Sequence, residues 1–98
     1  MKGDKAMATY FMFGKYSLEG MKGISAGRTD KTQSLIKKHG GEFKAGYALL
    51  GDVDLVLIVE MPDTGQAMKT SAALGKLLGA SFSTAPAVSV DEFDKLMG

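Results

Sequence analysis

The chain has no cysteine and no tryptophan, and only two prolines and one histidine among its 98 residues. Without cysteine there is no disulfide framework, no thiolate nucleophile and none of the common zinc or iron–sulfur sites. With a single histidine as well, a transition-metal site would have to be built from carboxylates, and no run of Asp and Glu has convincing ligand spacing. Nothing in the pattern calls for a cofactor. Ser, Thr and His form no recognisable nucleophile set. The glycines Gly20, Gly23 and Gly27 do not make a phosphate-binding fingerprint, because they do not follow its spacing.

Excess charge is missing too. Twelve Lys and Arg stand against eleven Asp and Glu, a formal net charge of +1. Both signs are spread along the chain, with no basic stripe interleaved by aromatics. There is therefore no electrostatic case for nucleic acid or an anionic membrane as partner. No apolar run approaches the roughly 18 to 20 residues of a membrane span. The start, MKGDKA, is polar and lacks an apolar signal region. These absences fit a cytoplasmic protein. Residues 1–6 read as a flexible tail, with Met7 as an alternative initiator, and residues 7–98 as one domain.

Hydrophobic residues make up 45% of the chain, enough for a packed core. Residues 8–16, ATYFMFGKY, are rich in aromatic residues and read as a strand. A glycine-containing connection with about one helical turn follows over 17–24. Residues 26–39 read as a helix, with Ser25 as its N-cap and Lys37, Lys38 and His39 at the negative end of its dipole. Gly40 and Gly41 supply the stop. A second strand spans 42–50, a turn covers Gly51 to Val53, and a third strand runs from Asp54 to Glu60. Asp63 and Gln66 resemble a capping box opening a helix from Thr64 to Leu78. Gly79 ends it. Residues 80–88 form a fourth strand, which Pro86 confines to an edge or a bulge. Ser89 and Glu92 cap a short terminal helix whose Phe93 and Leu96 or Met97 are expected to pack down.

The order βαββαβ implies a ferredoxin-like α+β fold, with an antiparallel four-stranded sheet and both main helices on one face. Alternation then divides the strands. Tyr10, Met12 and Tyr16 point one way, Phe11 and Phe13 the other. Leu55, Leu57 and Val59 oppose Val56 and Ile58. Both faces are apolar, and the helices cover only one. A second sheet from another copy would cover the other, packed at about 10 Å. The expectation is a homodimer joined sheet to sheet, a dimeric α/β barrel.

Candidate chemistry concentrates at strand ends, where loops carry function. The segment GDVDLVLIVE, residues 51–60, places Asp52 in a turn and Asp54 at the head of a buried strand. Asp52 reads as turn punctuation. Asp54 suits a buried polar role, with a structural hydrogen bond favoured over proton transfer. Lys15 and Tyr16 end the first strand. Tyr10, Tyr16 and Tyr47 could each bring a hydroxyl to an apolar cavity or sit in the core with that hydroxyl satisfied. Arg28, near the start of a helix, works against the helix dipole and calls for a partner: Asp30, Asp54 or a bound anion. His39 reads as a solvated helix-end residue.

The segments MATYFMFGKYSLEGMKGI, RTDKTQSLIKKHGGEFKAGYALLGDVDLVLIVEMPD and SFSTAPAVSVDEF together resemble the GYD-domain family, over nearly all of residues 7–96. The resemblance implies the same ferredoxin-like unit, in the dimeric α/β-barrel group, and a family that is largely uncharacterised. In the Gly-Tyr-Asp motif that names it, Gly51 and Asp54 match and Val53 takes the aromatic position. The turn and strand also resemble the effector-sensing domains of leucine-responsive regulators, and cofactor-independent monooxygenases share the architecture. Three functions follow as expectations. The first is a homodimeric module binding a small organic ligand through Lys15, Tyr16, Arg28, Tyr47 and Asp54. Lys15 or Arg28 would hold an anionic group, the two tyrosines would orient by hydroxyl, and Asp54 would fix a neighbour. The second is a cofactor-independent oxygenase or isomerase, with Asp54, Glu19 or His39 as base. The third is a purely structural assembly subunit.

Overall fold

The computed structural model describes residues 6–98. The tail expected over residues 1–6 lies, apart from Ala6, outside the described residues. The elements follow the order β1 (Ala8–Tyr16), α1 (Leu18–Lys22), α2 (Ala26–Lys38), β2 (Glu42–Ala48), β3 (Leu55–Met61), α3 (Thr64–Leu78), β4 (Ala80–Ala87) and α4 (Val90–Met97). The four strands form one antiparallel sheet in the order β2-β3-β1-β4. This is the expected βαββαβ arrangement. β2 begins as expected but ends two residues early, and β3 starts one residue late, because the chain bends between Leu49 and Asp54. β3 also runs one residue further, to Met61, which pairs with Ala8.

Local chemistry explains the boundaries. Ser25 Oγ accepts from Arg28 N–H at 3.2 Å and opens α2. At its other end Gly40 takes φ +83°. Gly40 N–H then donates to Lys37 C=O at 2.9 Å and Gly41 N–H to Ile36 C=O at 3.0 Å. That pair of bonds is the Schellman stop. Asp63 Oδ1 accepts from Gln66 N–H at 2.8 Å to start α3, and Gly79 ends it in the left-handed region at φ 65°. Pro86 sits on β4, an edge strand, where a missing N–H removes no inner ladder bond.

The core lies between the sheet and the helices α2 and α3. Tyr10 and Met12 of β1, Leu57, Val59 and Met61 of β3, Ile36 of α2 and Ala67, Leu74 and Leu78 of α3 form it. Tyr10 is a core aromatic with its hydroxyl satisfied, 3.0 Å from Thr64 Oγ1. The opposite face carries Phe11 and Phe13, whose ring centroids lie 6.2 Å apart, with Ile58 and Val56 beside them on β3. Alternation thus divides both strands as expected. Among the described residues, no helix lies over that second face.

The terminal helix departs from expectation. Ser89 caps it, accepting from Glu92 N–H at 3.0 Å, but α4 buries none of its residues. Phe93, Leu96 and Met97 stay exposed instead of packing down. β4 is an edge strand and α4 follows it away from the core, so its apolar side has nothing to meet among the described residues.

Candidate functional site

A chamber of about 450 Å³ opens between the first half of α2, α1 and the neighbouring ends of β2 and β3. Its origin is visible in the residues. The first nine residues of α2, AGRTDKTQS, contain no large apolar side chain. The sheet beneath them is floored at β2 by Gly46 and Ala48. A Cβ at Gly46 would meet Phe43 at 3.0 Å and Leu57 at 3.2 Å, so a side chain there would need both neighbours to give way. Polar helix above small strand residues leaves space that the core does not fill.

The walls are mostly apolar: Met21 and Ile24 from the α1–α2 segment, Phe43 and Leu49 from β2 and its turn, Leu55 and Leu57 from β3, and Leu78 from α3. Ser25, Arg28, Thr29 and Thr32 of α2, Tyr16 of β1 and Asp54 supply the polar groups. A few polar groups in an apolar concavity of this size are the make-up of a small-molecule site.

Arg28 is the group with the least satisfied chemistry. Its guanidinium lies over the Tyr16 ring, 5.3 Å from the centroid, a cation–π arrangement. Its Nη2 is buried without a hydrogen-bond partner. Thr32 Oγ1 donates to the Arg28 backbone carbonyl at 3.0 Å and does not reach the guanidinium. The partners weighed from sequence, Asp30 and Asp54, do not pair with it among the described residues.

Asp54 holds two strands together. Its Oδ2 accepts from Tyr16 N–H at 2.8 Å. Its own N–H donates to Gly14 C=O at 2.8 Å, and its carbonyl accepts from Leu49 N–H at 2.8 Å. The structural hydrogen bond expected of it is present, and the same side chain faces the chamber.

The other two expected residues stand differently. Lys15 pairs with Ser81 across β1 and β4, on the face away from Tyr16. Its Nζ donates to the Asp52 backbone carbonyl at 3.3 Å, at an exposed position, and it does not line the chamber. Tyr47 borders the chamber, but it pairs with Val56, which sits on the open sheet face, and the residue is 59% exposed. A bulge between Phe43 and Ala45 shifts the alternation of β2 and turns Tyr47 that way. Of the three candidate bases, Asp54 alone lines the chamber. Glu19 pairs with Lys22 at 3.7 Å on the exposed side of α1, and His39 follows the last turn of α2.

Sequence reading missed Ser25, Thr29, Thr32 and Gly23. The available signal was the absence of large apolar residues from the first half of α2. A helix that covers a sheet but lacks an apolar stripe over two turns leaves a gap there. Gly23 matters because a Cβ on it would lie 2.6 Å from Arg28 Nη1.

The profile of the GYD domain matches residues 10–97. The chain belongs to the GYD-domain family. That family has no assigned function. Among solved structures, the leucine response regulatory protein LrpA of Mycobacterium tuberculosis is similar in fold, with a TM-score of 0.56 at 8% identity. The match covers 84% of the GYD-domain chain and 51% of LrpA, so the chain spans about half the length of that neighbour. No curated protein matches the sequence. Among the described residues, no helix is long and apolar enough to cross a membrane, and no group of three or more His, Cys, Asp or Glu is placed to hold a metal ion.

Proposed function

We propose that this GYD-domain protein is a homodimeric module that binds a small organic molecule in the chamber beside α2. The observation that carries the reading is the chamber itself: about 450 Å³, chiefly apolar, with one guanidinium and one carboxylate on its wall. Tyr16 and Arg28 form the polar end, and Asp54 keeps Tyr16 in place. Lys15 and Tyr47 act outside the chamber, Lys15 at the Asp52 turn and Tyr47 at the rim and the open sheet face. The homodimer follows from the apolar sheet face of Phe11, Phe13, Val56 and Ile58, over which no helix lies among the described residues. Backbone amide shifts recorded by NMR against a fragment library test the reading. Binders should move Tyr16, Arg28 and Thr32 together. A library whose hits all perturb other surfaces would refute it.

One observation favours a second reading, an oxygenase or isomerase that uses no cofactor. Asp54 lines the chamber, and no hydrogen bond among the described residues reaches its second carboxylate oxygen. A positioned carboxylate of this kind is what a general base requires. Turnover lost in Asp54→Asn with ligand affinity retained would select this reading over simple binding.

A further inference from the structure

We propose that the ligand of the chamber is a monocarboxylate with an apolar body, its carboxylate paired with Arg28. This rests on the small-molecule reading and names the class of molecule.

Nη2 of Arg28 is buried with no partner. A charged donor removed from water without an acceptor is costly. The fold tolerates that cost here, and an acceptor brought in by a ligand would remove it. The guanidinium is also held ready. The Tyr16 ring lies on one side at 5.3 Å, and the bare Cα of Gly23 gives Nη1 room that any side chain would take. A group already fixed in its bound geometry loses little freedom on pairing.

Charge count narrows the anion. Arg28 is the one cationic side chain among the residues lining the chamber, and Asp54 is on the same wall. Lys15 is engaged at the Asp52 carbonyl instead. A dianion such as a phosphate ester would meet one cation and be repelled by Asp54. Arg28 can balance one negative charge and has nothing left for a second, and the planar fork of a guanidinium suits the planar carboxylate. The remaining wall is chiefly apolar, with Met21, Ile24, Phe43, Leu55 and Leu57 among its residues. Its volume equals that of about fifteen liquid waters at ~30 Å³ each. That is far more than a carboxylate alone fills, so the ligand has a hydrophobic body.

The rival account is internal. Asp54 could swing to meet Arg28 and leave no role for a ligand anion. Asp54 is already held through Oδ2 by the Tyr16 amide, which opposes such a swing.

The test uses the full chain with hydrocinnamate and its uncharged amide as probes, followed by calorimetry and amide NMR shifts. The acid is expected to bind saturably, moving Tyr16 and Arg28, and the amide to bind about tenfold more weakly or worse. Arg28→Met should bring the acid down to the level of the amide and leave the amide unchanged. Equal affinity of acid and amide for the unaltered protein would overturn the carboxylate class while leaving the small-molecule reading standing. Absence of binding by both, to millimolar concentration, would overturn both. If Arg28→Met fails to fold, the acid–amide comparison on the unaltered protein decides by itself.

Discussion

The carboxylate of Asp54 closes the joint between β1 and β3, and this gives a reason for an aspartate at the end of the Gly-Tyr-Asp motif. Removing it leaves the part-buried Tyr16 amide without an acceptor. Asp54→Ala should therefore lower stability by about 1–3 kcal/mol, whereas Asp54→Asn keeps a carbonyl acceptor and should cost under about 1 kcal/mol. Urea denaturation of the two variants checks this, and equal stability of both with the unaltered protein would mean the bond is idle. Gly23→Ala makes the opposite kind of test. Its new methyl would meet only the far end of the flexible Arg28 side chain. Stability should change little, while affinity for an anionic ligand drops by about tenfold as the guanidinium is displaced. At this scale the sequence was half legible. Tyr16 sits where strand alternation places it, whereas Asp54, which counting would put with Val56 and Ile58, reaches the chamber because the chain has already left β3 at that residue. The same alternation turns Lys15 away from Tyr16, a consequence of their adjacency. Tyr47 could not be placed by counting, because the bulge at Phe43 and Ala45 reverses the faces after it.

Whole elements were more legible than single side chains, because caps and stops are local chemistry. Ser25, Asp63 and Ser89 each accept from the amide three residues on, and each was readable from residue type and spacing. The fit of α1 against the end of α3 was not readable, since it depends on two backbones distant in sequence. Ser17 N–H donates to Gly79 C=O at 2.8 Å, and a Cβ on Gly79 would lie 2.7 Å from Gly20 Cα. Two glycines meet there, and α1 forms one wall of the chamber because of it. Gly79→Ala adds this backbone clash to the strain of φ 65°, itself worth about 1–2 kcal/mol. Gly40→Ala carries similar strain at φ 83°, but its methyl would meet only Pro62 Cγ at 3.3 Å. Thermal or urea unfolding should therefore rank Gly79→Ala as the more damaging of the two. Gly79→Ala should also weaken ligand binding, because it pushes α1 off its seat. The reverse order would show that α1 gives way freely.

At the scale of the molecule, two apolar surfaces belong together. One is the open sheet face, with half-buried Phe11, Phe13 and Ile58 around buried Val56 at its centre and exposed Tyr47 at its edge. The other is α4, with Val90, Phe93, Leu96 and Met97 exposed. Four strands at ~4.8 Å spacing and about 25 Å in length make a footprint of roughly 500 Å². A stable interface takes about 800 Å² from each partner. The sheet alone falls short, and the apolar side of α4 can supply much of the remainder in the proposed dimer. Two variants separate these contributions. Phe13→Asp buries a carboxylate at the centre of the sheet contact and should yield a species of 10.3 kDa in sedimentation or light scattering, where the unaltered protein runs at about twice that mass. Phe93→Asp changes only α4, which buries nothing within its own chain. It should raise the dimer dissociation constant by about tenfold or more while leaving each protomer folded. A monomeric unaltered protein at micromolar concentration would remove the dimer from the proposal. The chamber would survive that result, because every wall described for it comes from a single chain.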